Sequence, residues 1–203
     1  PTLMVISQNQ SYSRNNLSAI TQDLLGVDSA STFEFVKQDI DELGFTHDVY
    51  RQFYGGLPVE FAQLKVHAKE GQVSSLTNTT VAINDLDTRP TLSVRSALNS
   101  AKSFVNARTY MWEDSASSAL MDYQAPEGEL MILKPLVGVT NQAKLVYKFD
   151  IYALDPVYRA DVYVDAHSGA VVFENKRIHH ANTPATGSSL YNGTVSFTAD
   201  SFS

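Results

Sequence analysis

Apolar residues alternate with polar ones along most of this chain, and helical spacing is confined to two short regions. From Thr32, Phe33 and Phe35 open an alternating stretch that stops at the turn Asp41-Glu42-Leu43-Gly44. The run His47 to Tyr54 is rich in aromatic and β-branched residues, and Gly55-Gly56 supplies the positive φ of a tight hairpin turn. Leu57, Val59 and Phe61 resume period two, but the apolar phase then slips to Leu64, Val66 and Ala68. One extra residue at Ala62-Gln63 accounts for the slip, which predicts a β-bulge there. Lys69 to Gln72 turns the chain, and Val73 to Val81 contains a further strand.

Upstream, Leu17, Ile20, Leu24 and Leu25 lie at helical spacing before Gly26, which predicts a short helix in a polar N-terminal segment. Asn84 to Pro90 is a polar connector and a domain boundary. Beyond it Ser93 is a good N-cap for the amphipathic set Val94, Ala97, Leu98, Ala101, Phe104 and Val105. The Ser/Ala stretch 115–119 reads as a loop. Four strands follow: Glu129–Lys134, Ala143–Leu154, Tyr158–Ala166 and Ala170–Lys176. Leu145, Tyr147, Phe149 and Ile151 share one face of the second, and Ala160, Val162 and Val164 point inward from the third. Asp155-Pro156 and His167-Ser168-Gly169 are their turns. Residues 177–189 lose all periodicity and read as an exposed, cleavable segment. Leu190 to Phe202 reads as a hairpin turning at Asn192-Gly193.

Composition removes several classes of function. Of the 203 residues, 43% are hydrophobic and 18% charged, so the chain buries a core. Fifteen Lys and Arg against 22 Asp and Glu leave a net charge of −7, which argues against nucleic acid as a partner. No apolar run approaches the ~20 residues of a membrane span. No secretory signal is visible, so any export signal is expected to have been removed or to lie outside these residues. With no cysteine, a disulfide scaffold, a thiolate metal site and a cysteine nucleophile are excluded.

The run Asp41-Glu42-Leu43-Gly44-Phe45-Thr46-His47, followed by Gln52-Phe53-Tyr54-Gly55-Gly56-Leu57-Pro58-Val59, resembles the fungalysin/thermolysin propeptide motif. The helix from Ser93 to Val105, with Ala143–Leu154 and Asp165-Ala166-His167-Ser168-Gly169-Ala170-Val171, resembles a PepSY domain. Thr186 to Val195 looks like the first strands of a mature peptidase. The order is that of propeptides of secreted thermolysin-type zinc metallopeptidases. The expected fold class is α+β: two small antiparallel-sheet domains in tandem, the second cystatin-like with a helix on its sheet. An exposed linker and a β-hairpin follow. The segments are 1–31, polar with a short helix; 32–88, propeptide-like; 89–176, PepSY-like; 177–189, linker; and 190–203, the start of the peptidase.

The resemblance implies an intramolecular chaperone and inhibitor that is cut from its peptidase, usually by that enzyme. The implied partner is the cognate catalytic domain, in cis or in a non-covalent complex after cleavage, with no nucleic acid or membrane involved. Zinc, and calcium with it, is expected in that partner and not in this segment; secretion to the periplasm or beyond is implied too. The chain has no His-Glu-x-x-His, so it is not expected to be an enzyme alone, and it offers no catalytic or metal residue. The inhibitory tail is Ile178, His179, His180, Ala181 and Asn182, with the scissile bond at His180–Ala181 and Asn182–Thr183 or Ser189–Leu190 as alternatives. Gly44, His47, Gln52, Gly55, Gly56, Pro58, Asp165 and Gly169 are expected to hold the motifs' geometry. The pairs Asp41-Glu42 and Glu113-Asp114 read as solvated charge, and outward-facing strand aromatics as candidate partner anchors. A stand-alone PepSY-type module regulating a protease in trans is the alternative.

Overall fold

The computed structural model describes residues 1–177 except 8, 9 and 29, and the backbone of two later strands. Its first sheet is a meander of β2 (Ser31–Ile40), β3 (Phe45–Tyr54), β4 (Leu57–Lys69) and β5 (Gln72–Asn78). Two-residue turns join β3 to β4 and β4 to β5, with positive φ at Gly55, Gly56, Glu70 and Gly71. These φ values match the right-handed twist of the strands they connect.

The polar N-terminal segment holds more than the expected helix. Strand β1 (Thr2–Val5) pairs antiparallel with β5, so the order is β1-β5-β4-β3-β2. The helix is real: α1 (Leu17–Ala19) continues as a π-helical turn through Leu24 and ends at Gly26, φ +59°. Ile20 from this segment is buried against Leu64, Val66, Val73 and Leu76 of the sheet.

The second half opens with α2 (Val94–Val105), capped by Ser93, whose Oγ accepts from Ser96 N at 3.2 Å. Short strand β6 (Thr109–Tyr110) follows. The stretch read as a loop is helix α3 (Ser115–Met121), capped by the Asp114 carboxylate and stopped by Asp122 in the left-handed region. The strands β7 (Glu129–Leu133), β8 (Lys144–Asp155), β9 (Val157–Asp165) and β10 (Val171–Lys176) are sheet neighbours in that order. The inward set Leu145, Tyr147, Phe149, Ile151, Ala160, Val162 and Val164 packs on Ala97 and Ala101 of α2, forming the larger core. The fold is α+β and mostly antiparallel.

One parallel contact joins the halves. Val59 and Glu60 of β4 run alongside Ile132 and Leu133 of β7, while Leu64 to Lys69 pair with β5 along the same edge of β4. β4 therefore changes neighbours midway, and the bulge sits at the change. Phe61 has φ +60°, and the buried phase passes from Val59 to Ala62, slightly before the expected Ala62-Gln63. Thr79 ties the bulge down: its hydroxyl accepts from Gln63 N at 2.9 Å and donates to Phe61 O at 3.0 Å. Lys134, just past β7, donates to Thr79 O at 2.7 Å.

The segment read as an unpatterned linker also contains a strand. β11 (Thr183–Ser189) pairs antiparallel with β12 (Gly193–Ala199), so the terminal hairpin begins before Leu190. Thr-Pro-Ala-Thr-Gly has neither alternation nor strong β propensity, and the pairing with β12 overrides that local weakness.

Candidate functional site

The motif residues of the first sheet fall into three groups. The turn before β3 is closed by Asp41, whose Oδ1 accepts from Leu43 N and Phe45 N, both at 2.9 Å, with Gly44 at φ +79°. The Phe45 N–H, with help from His47 and the Leu43 N–H, holds that carboxyl below the usual carboxylate range against the opposing effect of burial. Gln52 is fully buried, and its amide embraces Val81: Oε1 accepts from Val81 N at 3.0 Å, and Nε2 donates to Val81 O at 2.8 Å. This fastens β3 to the connector leaving the first sheet. Gly55 faces the same connector, since a Cβ there would stand 3.2 Å from Thr88 Cγ2. Pro58 pairs with Phe53 at the start of β4, just ahead of the bulge.

His47 belongs to a relay that the spacing did not announce. Its Nε2 lies 3.2 Å from Asp41 Oδ2, and its Nδ1 lies 2.6 Å from Nδ1 of His67, the residue opposite it on β4. His67 Nε2 reaches Thr77 Oγ1 on β5 at 2.9 Å. A carboxylate only accepts, so His47 carries a proton on Nε2 and, when neutral, accepts at Nδ1 from His67. Burial, then the neighbouring His47 and Lys65, push the His67 pKa down.

In the second sheet, Asp165 closes the turn after β9. Its Oδ1 accepts from Ser168 N at 2.8 Å and His167 N at 3.0 Å, and Lys144 Nζ lies 3.0 Å from Oδ2. Burial raises its pKa, but those donors outweigh burial and bring it down to about 2. Gly169 has φ +75°, and a Cβ there would stand 3.1 Å from Leu92 Cδ1, just before α2, and 3.4 Å from Ser100 Oγ of α2. Both turns thus serve packing and hydrogen bonding.

The outer face of the second sheet carries what the motifs did not point to. Glu60 of β4 accepts from Lys148 Nζ at 2.7 Å and from Tyr163 Oη at 2.8 Å. Lys148 also lies 3.9 Å from Asp161, which accepts from Arg177 Nη2 at 2.7 Å and Nε at 3.2 Å. Arg177 continues to Asp150 at 3.3 Å, and Asp150 pairs with Arg159 at 3.0 Å. Burial lifts the Glu60 pKa, but Lys148 and Tyr163 more than reverse it, so the group is held below its ordinary value as an anion. Beside this ladder Phe61, Tyr163 and Phe173 form an aromatic cluster, with centroids 5.3 to 6.3 Å apart. A signal existed: Lys148 and Asp150 on β8, and Arg159 and Asp161 on β9, hold the polar phase opposite the inward apolar set. Their partners on β4 and beyond β10 are too distant in sequence to be read from spacing.

Ile178, His179, His180, Ala181 and Asn182, and the bond His180–Ala181 with them, lie outside the described residues. Among the described residues no three or more His, Asp or Glu side chains come together to hold a metal. No helix among them is long and apolar enough to cross a membrane.

Residues 31–80, which hold the Asp41 turn, the embraced Gln52 and the double-glycine hairpin, match the Fungalysin/Thermolysin Propeptide Motif. The chain is similar to bacillolysin of Bacillus amyloliquefaciens, 26% identical over 172 residues, covering 83% of this chain and 32% of that protein. It is also similar to the thermolysins of Alicyclobacillus acidocaldarius subsp. acidocaldarius and Bacillus caldolyticus, each 28% identical over 149 residues, covering 73% of this chain. The chain thus spans about a third or less of these curated relatives, 32% of the first and 26% of the others. Among solved structures, the Bacillus megaterium YpeB C-terminal domain aligns over 87% of this chain and 71% of that one, at 12% identity and a TM-score of 0.38. The resemblance to a thermolysin-type propeptide holds, and this segment is akin to part of a metallopeptidase precursor.

Proposed function

We propose that this chain is the propeptide of a secreted thermolysin-like zinc metalloendopeptidase, acting as intramolecular chaperone and inhibitor until proteolysis removes it. The observation that carries the reading is the propeptide motif over residues 31–80, within a similarity to bacillolysin that continues through 172 residues. The helix on an antiparallel sheet in residues 89–176 is consistent with the PepSY part of such a propeptide.

The physical task is to fold a large domain whose long-range contacts form slowly. A sheet that is already folded holds incoming strands near their native arrangement, which lowers the loop-closure cost before those contacts form. While the two parts are one chain, their effective concentration is on the order of millimolar, so modest contacts keep the cleft closed. The tail 178–182 then lies across the cleft, and cutting His180–Ala181, most simply by the enzyme itself, removes that advantage. Zinc and calcium belong to the partner domain. A module acting only in trans is not favoured, because the similar stretches belong to peptidases, about a third or less of the length of each.

Refolding the denatured cognate peptidase domain with and without the 203-residue chain tests the chaperone role. Recovered activity should rise at least several-fold with the chain present; equal recovery would count against it. N-terminal sequencing of the processed peptidase locates the scissile bond, and a first cut before Lys176 would rule out the tail model.

A further inference from the structure

On the propeptide reading, we infer that the outer face around Phe61 is the docking surface for the cognate catalytic domain, with Phe61 as its anchor. Phe61 combines two features that packing alone does not require. A bulky residue at φ +60° is disfavoured, and such conformations concentrate where function holds them in place. The residue also stays 40% exposed, although Tyr163, which its ring contacts, is fully buried. The fold therefore places an aromatic ring on the surface, at the point where β4 passes from one sheet to the other.

The surroundings match an interface centre. Arg51 pairs with Glu60 at 3.6 Å, Lys148 with Glu60 at 2.7 Å, and Arg177 with Asp161 at 2.7 Å. The charges beside the ring neutralise one another, so the complementary surface is an apolar pocket with a polar rim and not a strongly charged patch. Aromatic anchors within a rim that excludes water carry most of the energy of such contacts.

Chain continuity selects the occupant. β10 runs past the ring, with Phe173 edge-on to Phe61 at 6.1 Å between centroids. Four residues later, about 13 Å along a strand, Arg177 is fastened to Asp161 on the same face. The chain, which leads toward the peptidase on the propeptide reading, thus passes Phe61 on β10 and leaves from the same face of the sheet at Arg177. A second copy of the chain has no such tether.

Phe61→Gly and Phe61→Ala separate anchoring from folding. Both remove the ring, but only glycine relieves the left-handed backbone, so the glycine variant should melt at a higher temperature than the alanine variant. Both should inhibit the mature cognate peptidase about 10- to 100-fold more weakly than the wild-type chain, with the folded fraction unchanged at the assay temperature. Wild-type inhibition by both variants overturns the inference. So does an inhibition loss that follows their melting temperatures, or self-association of the free chain that depends on Phe61 while inhibition does not. A wild-type chain that neither binds nor inhibits instead overturns the propeptide reading itself, and the surface with it.

Discussion

The two faces of the second sheet are built differently. Beneath α2, the side chains of β8 and β9 are apolar and fully or nearly fully buried. On the other face the same strands present Lys148, Asp150, Arg159 and Asp161, joined through Arg177 into one ladder of ion pairs. The first face removes apolar area from water, the dominant favourable contribution to folding. The second buries a smaller apolar cluster of Met131, Leu133, Val146 and Tyr163, and its partly exposed ion pairs contribute on average less than about 1 kcal/mol each. What it does is hold the last strand, and the exit of the chain, in one place. The larger apolar core thus lies on one face, and the ion-pair ladder lies beside a smaller core on the other.

The largest effect should come from breaking the apolar face. Gly128 has φ +82°, and a Cβ there would overlap the Phe149 ring and stand 2.7 Å from Val94 Cγ2. Gly128→Ala should therefore destabilise the chain by about 3 kcal/mol or more, through overpacking and backbone strain together. Urea unfolding measures this as a lowered midpoint at similar slope.

A somewhat smaller loss is expected where the first sheet meets the connector. Gln52→Leu keeps the volume but strands the Val81 N–H and C=O, which Gln52 now satisfies. The expected cost is about 2 kcal/mol, and hydrogen exchange at Val81 should quicken with it. A Val81 amide as protected as in the wild type would mean that another group satisfies it.

These two sites differ in how far the sequence reveals them. The inward set of β8 is legible because four apolar residues alternate within one long strand, and α2 because Ser93 caps a clear amphipathic repeat. The motif turn is legible from Asp41 and Gly44, since both residue types answer a local backbone need. β1 is not, because Thr-Leu-Met-Val has no alternation and its Leu3 and Val5 remain exposed. α3 hides in Ser and Ala, and only the Asp114 cap marks it. The parallel step from β4 to β7 and the His47–His67 contact depend on register between distant segments, which composition and spacing do not encode.

The smallest effect belongs to the first sheet and is read through pH. The folded His67 pKa lies below its unfolded value of about 6.5, chiefly through burial, so the unfolded chain binds the proton more readily. Stability should therefore decline as pH falls from about 6.5 through the depressed folded value. The Nδ1–Nδ1 contact accommodates one proton between the rings, and a second forces them apart. Asp39 and Asp41 favour charge on this cluster while Lys65 opposes it. Melting temperature against pH should dip on the acid side for the wild type and flatten for His67→Gln. The same dip in both would place the titrating group elsewhere.

The claim beneath all of this is that the folded chain grips a peptidase. Titrating the purified 203-residue chain into the mature cognate enzyme, while following both peptide hydrolysis and complex formation, tests it most directly. The account predicts saturable inhibition with one chain bound per enzyme. Hydrolysis that continues unchanged at every concentration, with no complex detected, would contradict it.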